Sequence, residues 1–236
     1  VVGSEMCIRD RHMEDWSPLW ISVQVAFCAT VCSVFFGTLL AYGVMKLKRL
    51  RPAADVVLTL PLVLPPTVVG FFLLVLLGKN SVVGQFFNSI GLSFIFSMRG
   101  AVAAAFVVSF PLMYRSARGA MEQMDRQLLY AARTLGAGEG KIFLRVILPN
   151  CRSGIFAGTI LVFARAMGEF GATIMLAGNI PGKTQTMALA VYTAVQGGNR
   201  EEAFQWAVII VILSAAAILG VNFFERGKNT GKDEGF

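Results

Sequence analysis

An all-α membrane protein, a polytopic helical bundle of about five transmembrane helices, is what this sequence predicts, on three observations. The chain is 56% apolar and only 15% charged, where soluble domains carry roughly 25% charged residues. Its apolar residues come in runs long enough to cross a bilayer. Its basic residues concentrate in alternate connecting segments, as the positive-inside rule requires. One such bundle uses up the 236 residues.

In chain order, residues 1–12, VVGSEMCIRDRH, are unlike the rest of the chain, and Met13 opens MEDWSPLW, a natural start before a span. Residues 1–12 are therefore taken as a non-native, disordered leader, 13–226 as the membrane domain and 227–236 as a tail. The first run, 18–45, carries no charge and spans with some tilt. Cys28 and Cys32 share a face inside it and are expected to be packing residues. The second run, 56–77, contains Pro61, Pro65 and Pro66, followed by Thr67. Three prolines remove three backbone donors, so this helix must break or kink. Broken backbone at membrane depth is tolerated where protein or a watery cavity satisfies it. The break is either the lining of a translocation path or a packing kink.

Residues 80–98 are apolar but interrupted by Gly84, Asn88, Gly91 and Ser93, and only Arg99 and Gly100 separate them from the next run. That is too short a turn between antiparallel spans, so 80–98 is expected to be interfacial or re-entrant on the outer face. The third run, 101–114, is short, and Phe94 to Met98 can extend it. The fourth, 153–177, holds Arg165 near its middle, where a charge costs at least about 2.5 kcal/mol. Glu169 lies one turn on and faces the same way. The pair either holds helices together or borders the route of an anion, and Gly168 and Gly171 leave room for another backbone to approach. The fifth run is 203–224.

Between the third and fourth runs lies the longest stretch fit for water, LLYAARTLGAGEGKIFLRVILP. Leu128, Ala132 and Leu135 form an amphipathic stripe that Met121 and Met124 extend backwards, with Asp125 as N-cap or first-turn acid. Gly136 stands where a helix end needs a left-handed residue. A second helical pattern, Ile142, Phe143, Val146 and Ile147, runs until Pro149 interrupts it. So short a first helix gains little from its own hydrogen bonds and must dock, on its own protein or on another.

The charges set the orientation. Fourteen basic residues lie in 46–51, in 115–152 and after 224, against four on the other side, or six with Arg9 and Arg11. The N-terminus is thus expected outside, and the Gly136 loop and C-terminus in the cytoplasm. The net charge of +7 is a topology signal and not a nucleic-acid surface. Trp16, Trp20 and Trp206 lie near outer ends, as interfacial anchors should. AGNIPGKT at 177–184 imitates a phosphate loop, but comes after a membrane helix rather than a strand and carries Pro181. The only histidine, His12, is in the leader, and the spans hold neither paired carboxylates nor metal-ligand spacing. No catalytic residue, metal or cofactor is expected.

Ala131, Ala132, Gly136, Val146, Leu148 and Pro149 resemble the cytoplasmic signature of ABC-importer permeases: Glu-Ala-Ala, three residues, Gly, nine residues, Ile, one residue, Leu-Pro. Tyr130 stands where that family usually has Glu, and Val146 where it usually has Ile. FARAMGEFGATIMLAGNIPGKTQT and PLVLPPTVVG are similar to the molybdate-transport permeases within it, over nearly all of 13–226. The sulfate permeases are similar around GEFG but generally longer. The resemblance implies a type I importer permease acting as a homodimer in a bacterial inner membrane, with two cytoplasmic ATPase subunits docking on a coupling loop within 115–152. An external binding protein would deliver molybdate or tungstate, and Pro65, Pro66, Thr67, Arg165, Gly168, Glu169 and Gly171 would border the path or gate. A sulfate or other oxyanion permease is the alternative, and an ATPase-independent channel or scaffold a further one.

Overall fold

The computed structural model describes residues 15–47 and 49–229, with side chains through residue 220. The leader and the last part of the tail lie outside the described residues. Among the described residues twelve helices succeed one another: α1 Ser17–Lys46, α2 Arg51–Val63, α3 Pro66–Leu77, α4 Val82–Ser89, α5 Met98–Glu122, α6 Arg126–Thr134, α7 Glu139–Ile142, α8 Leu148–Asn150, α9 Arg152–Met167, α10 Gly171–Leu176, α11 Met187–Gln196 and α12 Arg200–Asn229. A π-helical turn, Phe143–Ile147, joins α7 to α8. No strand occurs among the described residues.

Three helices among the described residues, α1, α5 and α12, are long and apolar enough to cross a membrane, or up to five spans where each of two bent pairs counts as one. The 30 residues of α1 reach about 45 Å at 1.5 Å per residue. Small residues let α1 and α5 lie close: a Cβ on Gly37 would stand 2.9 Å from Met113 Cγ and 3.2 Å from the Tyr114 amide nitrogen. Helix α9 packs closely on α5 in the same manner, with Gly154 against Ala120 and Gly158 against Ser116. Without a hydrophobic force between helices in lipid, such close approach is what drives their association. Some hydroxyls in these helices are satisfied internally, Thr30 donating to the Ala26 carbonyl at 2.6 Å and Ser109 to that of Ala105 at 2.7 Å, whereas the buried hydroxyls of Ser33 and Thr38 have no partner among the described residues.

The run 56–77 breaks at its prolines as expected, into α2 and α3, which meet at 112° across Leu64 and Pro65. Several other expectations need correction. The third span is extended at its other end. Ser97 caps it, its Oγ accepting from the Gly100 amide at 3.2 Å, while Phe96 turns out of the helix at φ 51° to donate its amide to the Leu176 carbonyl. The helix continues instead past Tyr114 to Glu122. The run 153–177 is cut at Gly168 into α9 and α10. The second bent pair in the bundle joins Glu139–Asn150 to Arg152–Met167 at 75°. Helix α11 had no predicted counterpart; Met187, Leu189, Ala190 and Ala194 bury its inner face. Segment 80–98, expected not to span, agrees with that expectation: it holds the eight-residue α4, about 12 Å long and too short to span. Trp206 is buried, packed edge-on against Trp16 at 6.3 Å, so only Trp16 and Trp20 are free to act as anchors. Cys28 is exposed rather than packed.

Candidate functional site

Two regions collect the residues singled out in the sequence. The first is the loop between α5 and α9. Asp125 Oδ1 accepts from the Gln127 amide at 2.8 Å and starts α6. At the other end the Gly136 amide donates to the Arg133 carbonyl (2.9 Å) and the Ala137 amide to the Ala132 carbonyl (3.1 Å). This pair of bonds is a Schellman end, which needs a left-handed residue at Gly136, whose φ is 74°. The motif also brings its two flanking apolar residues together. Ala132 and Ala137 accordingly turn inward with Leu129 onto the core formed by Met113, Ala117, Met121 and Ile142.

That geometry corrects the stripe. Ala132 is half-buried in its own protein, while Leu128, Ala131 and Leu135 face outward, Leu135 being 86% exposed. Tyr130 is also exposed. Met121 belongs to α5 and is buried, so it does not extend α6. Nor does Pro149 end its helix. A π turn over Phe143–Ile147 precedes it, and the bend falls later, at Cys151. The wider turn accommodates the missing proline donor, and the Asn150 side-chain amide donates to the Val146 carbonyl at 2.6 Å. Val146 and Leu148 are half-buried and Pro149 is exposed.

The loop is fastened to the membrane domain by Glu139, which sequence reasoning missed. Its carboxylate takes Lys46 Nζ at 2.9 Å, the Tyr42 hydroxyl at 2.7 Å and Arg133 Nε at 3.1 Å. Hydrogen bonds from Lys46, Tyr42 and Arg133 hold its pKa down to about 2. The Tyr42 ring also lies 4.8 Å from that of Phe143. An acid in the turn after Gly136, within an otherwise basic segment, was the available signal. Its partners, 93 and 97 positions back in the chain, were not legible. A second fastening joins the start of α2 to the end of α5: Arg118 pairs with Asp55 and Glu122, Glu122 also with Arg51, and Tyr114 donates to Asp55.

The second region joins the two helix breaks inside the bundle. Glu169 sits in the break between α9 and α10 with its side chain 1% exposed. Its Oε2 meets Arg165 Nη1 at 2.9 Å and its Oε1 accepts from the Ala172 amide at 2.8 Å. The carboxylate thus pairs a charge and caps α10 together. Gly171, in the first turn of α10, lies against the α2–α3 break: a Cβ there would be 3.1 Å from Pro66 Cβ and from the Thr67 amide nitrogen. Gly70 repeats this one turn further, against Ala172 and Met175. Pro66, Thr67, Glu169 and Gly171 are therefore brought to one place. Pro65 is exposed beside them, with its carbonyl accepting from Val68 and Val69. Gly168 is exposed, and a Cβ there would meet nothing within 4 Å among the described residues. The AGNIPGKT turn comes after α10, and its Thr184 hydroxyl is used internally, accepting from the Ile180 amide at 3.0 Å.

Solved structures share this arrangement. A bacterial alginate ABC transporter superposes with TM-score 0.72 at 15% identity over 96% of this chain and 83% of that one. The MetNI methionine ABC transporter in an inward-facing conformation gives 0.67 at 16% over 89% and 94%. The fold is that of the type I ABC-importer permeases. Residues 33–226 match the family model described as binding-protein-dependent transport system inner membrane component, and the chain belongs to that family of multi-pass membrane proteins. Among its relatives, the molybdenum transport system permease protein ModB of Escherichia coli (strain K12) is 43% identical over 208 residues, 87% of this chain and 91% of that protein. The protein of the same name from Haemophilus influenzae is 45% identical, over 69% of this chain and 72% of its own length. The sulfate transport system permease protein CysW of Synechocystis is 35% identical over 92% of this chain and 78% of its own.

Proposed function

We propose that this chain is the membrane-spanning permease of an ATP-driven importer of molybdate, with tungstate as a second cargo. The observation that carries the reading is 43% identity to a molybdenum permease, sustained over almost the whole length of both chains. The sulfate relative, at 35% and with more of its own length unmatched, fits the chain less closely. The permease does no chemistry itself. Two copies form the path, two ATPase subunits work from the cytoplasm, and an external binding protein supplies the anion. The basic segments put the Gly136 loop and the C-terminus inside and the N-terminus outside.

The loop after α5 is the coupling element in this reading. Leu128, Ala131 and Leu135 give the ATPase an apolar face, the Gly136 turn sets its angle, and Val146, Leu148 and Pro149 carry the motion into α9. The exposure of Leu135 supports this, because a short helix with an uncovered apolar face lacks part of its own stabilisation until something covers it. The break lined by Pro65, Pro66 and Thr67, packed on Gly171, is the gate region, with Gly168 open toward a second copy. Bonding of both Glu169 oxygens within the chain favours a structural role for the pair with Arg165.

Proteoliposomes containing permease and ATPase, supplied with the loaded binding protein, test this. ATP-dependent molybdate uptake that exceeds sulfate uptake is expected. Equal sulfate uptake with the molybdate-binding protein present would refute the cargo, and rapid molybdate passage without ATPase would refute the importer in favour of a channel.

A further inference from the structure

A cationic cleft of ≈ 490 Å³ lies away from Arg165, between the end of α5 and the start of α9. Arg115, Ser116, Gln123, Asn150 and Ser153 line it, and no carboxylate does. Its floor is the close crossing at which Gly154 meets Ala120. Arg115 lies seven residues before the end of α5, about 10 Å back along the helix. Arg118 pairs with Asp55 and Glu122, Arg51 with Glu122 and Arg133 with Glu139, whereas Arg126, Lys141, Arg145 and Arg152 show no ion pair among the described residues; what sets Arg115 apart is that it is the one basic residue lining the cleft. Arg115 has no ion pair or hydrogen bond among the described residues. The side chains of Ser116, Gln123 and Ser153 likewise have no hydrogen-bond partner there.

Arg115 is exposed on the cleft wall, at the basic end of α5 just past the apolar run. Here it shares a roomy cleft with hydroxyl and amide donors and with the first turn of the 16-residue α9, whose positive dipole end adds to the field. A guanidinium with neutral donors around it suits a tetrahedral oxyanion, and the absence of a carboxylate removes the group that would repel one. By contrast the Arg165 guanidinium already has Glu169. We infer that the Arg115 cleft is a binding site for a tetrahedral oxyanion on the cytoplasmic side of the bundle. The anion is either the released cargo or the phosphate of an anionic lipid. This rests on the transport reading for its orientation and cargo.

The test uses Ser153→Cys in a chain whose native cysteines are replaced, assembled with its ATPase in vesicles open to a thiol reagent on the ATPase side. The measurement is the molybdate concentration that half-protects position 153 from labelling. In phosphatidylcholine vesicles molybdate should protect, and adding Arg115→Gln should raise the half-protecting concentration by about tenfold or more, as loss of a charge-assisted bond does. Arg115→Lys should retain most of the protection. Protection in these vesicles assigns the site to the free ion. Protection only on adding phosphatidylglycerol, again abolished by Arg115→Gln, assigns it to lipid phosphate. No protection in either membrane, or protection indifferent to Arg115→Gln, overturns the site. Molybdate uptake by the Ser153→Cys complex is measured in parallel. Intact uptake without protection overturns the cleft and leaves the transport reading standing, while loss of molybdate uptake in the unmodified complex strikes the transport reading itself.

Discussion

Glu139 and Glu169 make an instructive pair. Both stand at a helix break, and each bonds an arginine: Arg133 for Glu139, Arg165 for Glu169. Glu139 lies in the loop with its side chain 46% exposed and gathers three partners, two from the distant α1 and one from the neighbouring α6. Glu169 lies in the bundle with its side chain 1% exposed and has one charge partner and one backbone donor. Water can replace any partner that Glu139 loses, whereas nothing replaces a partner lost by Glu169. The first is thus a fastening that can be loosened, suited to a loop that moves relative to α1. The second locks a break whose geometry must persist.

The largest expected effect comes from unpairing the buried carboxylate. Arg165→Ala should destabilise the bundle by about 3–5 kcal/mol, because it leaves a lone charge in a dry site. The double variant with Glu169→Ala should recover part of that loss in a thermal-unfolding assay in detergent. If the single and double variants unfold alike, the pair is not the lock described. Transport by a stable double variant would further establish that Arg165 is not needed by the anion.

A smaller change is expected at the Schellman end. Gly136→Val forces a β-branched side chain to φ 74°, a strain of about 1–3 kcal/mol felt locally in α6. The bundle should assemble with its ATPase poorly while retaining its melting behaviour, read by co-purification. Normal co-purification and transport would remove the coupling role from this turn. Smaller still in stability is Leu135→Asp. At a position this exposed the fold should change by less than about 0.5 kcal/mol, yet ATPase docking should fall if the outward stripe is the docking face. Ala132→Asp should instead disturb the loop's own packing, since Ala132 turns inward. Equal docking loss with equal stability in both variants would contradict the division of α6 into two faces.

The smallest effect concerns pH at Glu139. Its folded pKa is lowered from 4.5 to about 2, so the fastening is fully present above about pH 4.5 and is lost only as pH falls toward 2. Spin labels at positions 49 and 141 should report one distance from pH 7 to pH 5. High salt, which screens exposed pairs, should broaden it. A distance change centred near pH 6 would mean that Glu139 is not what holds the loop.

Much of this molecule was legible from local pattern. Uncharged runs announced α1 and α12 because a bilayer demands a minimum apolar length. The prolines announced the α2–α3 break because they lack a donor. Asp125 and Gly136 announced both ends of α6 because caps and left-handed turns depend on a few neighbouring atoms. The i, i+4 spacing of Arg165 and Glu169 announced their contact. The candidate site was legible as two separate motifs.

What only the tertiary structure decided is everything set by contact across the chain. Periodicity identified an apolar stripe on α6 but could not tell which side of it meets the protein's own core; the turn at Gly136 draws Ala132 inward and leaves Leu135 out. Composition could not reveal that the proline break and the Gly171 turn pack on each other, because Pro66 and Gly171 are 105 residues apart and their fit depends on missing side-chain volume. Nor could charge counting separate Arg115 from Arg118, since which arginine keeps its charge unpaired depends on where Asp55 arrives when α2 folds against α5. Local chemistry therefore determined the elements and their ends, while the close approach of distant backbones decided their facing, pairing and exposure.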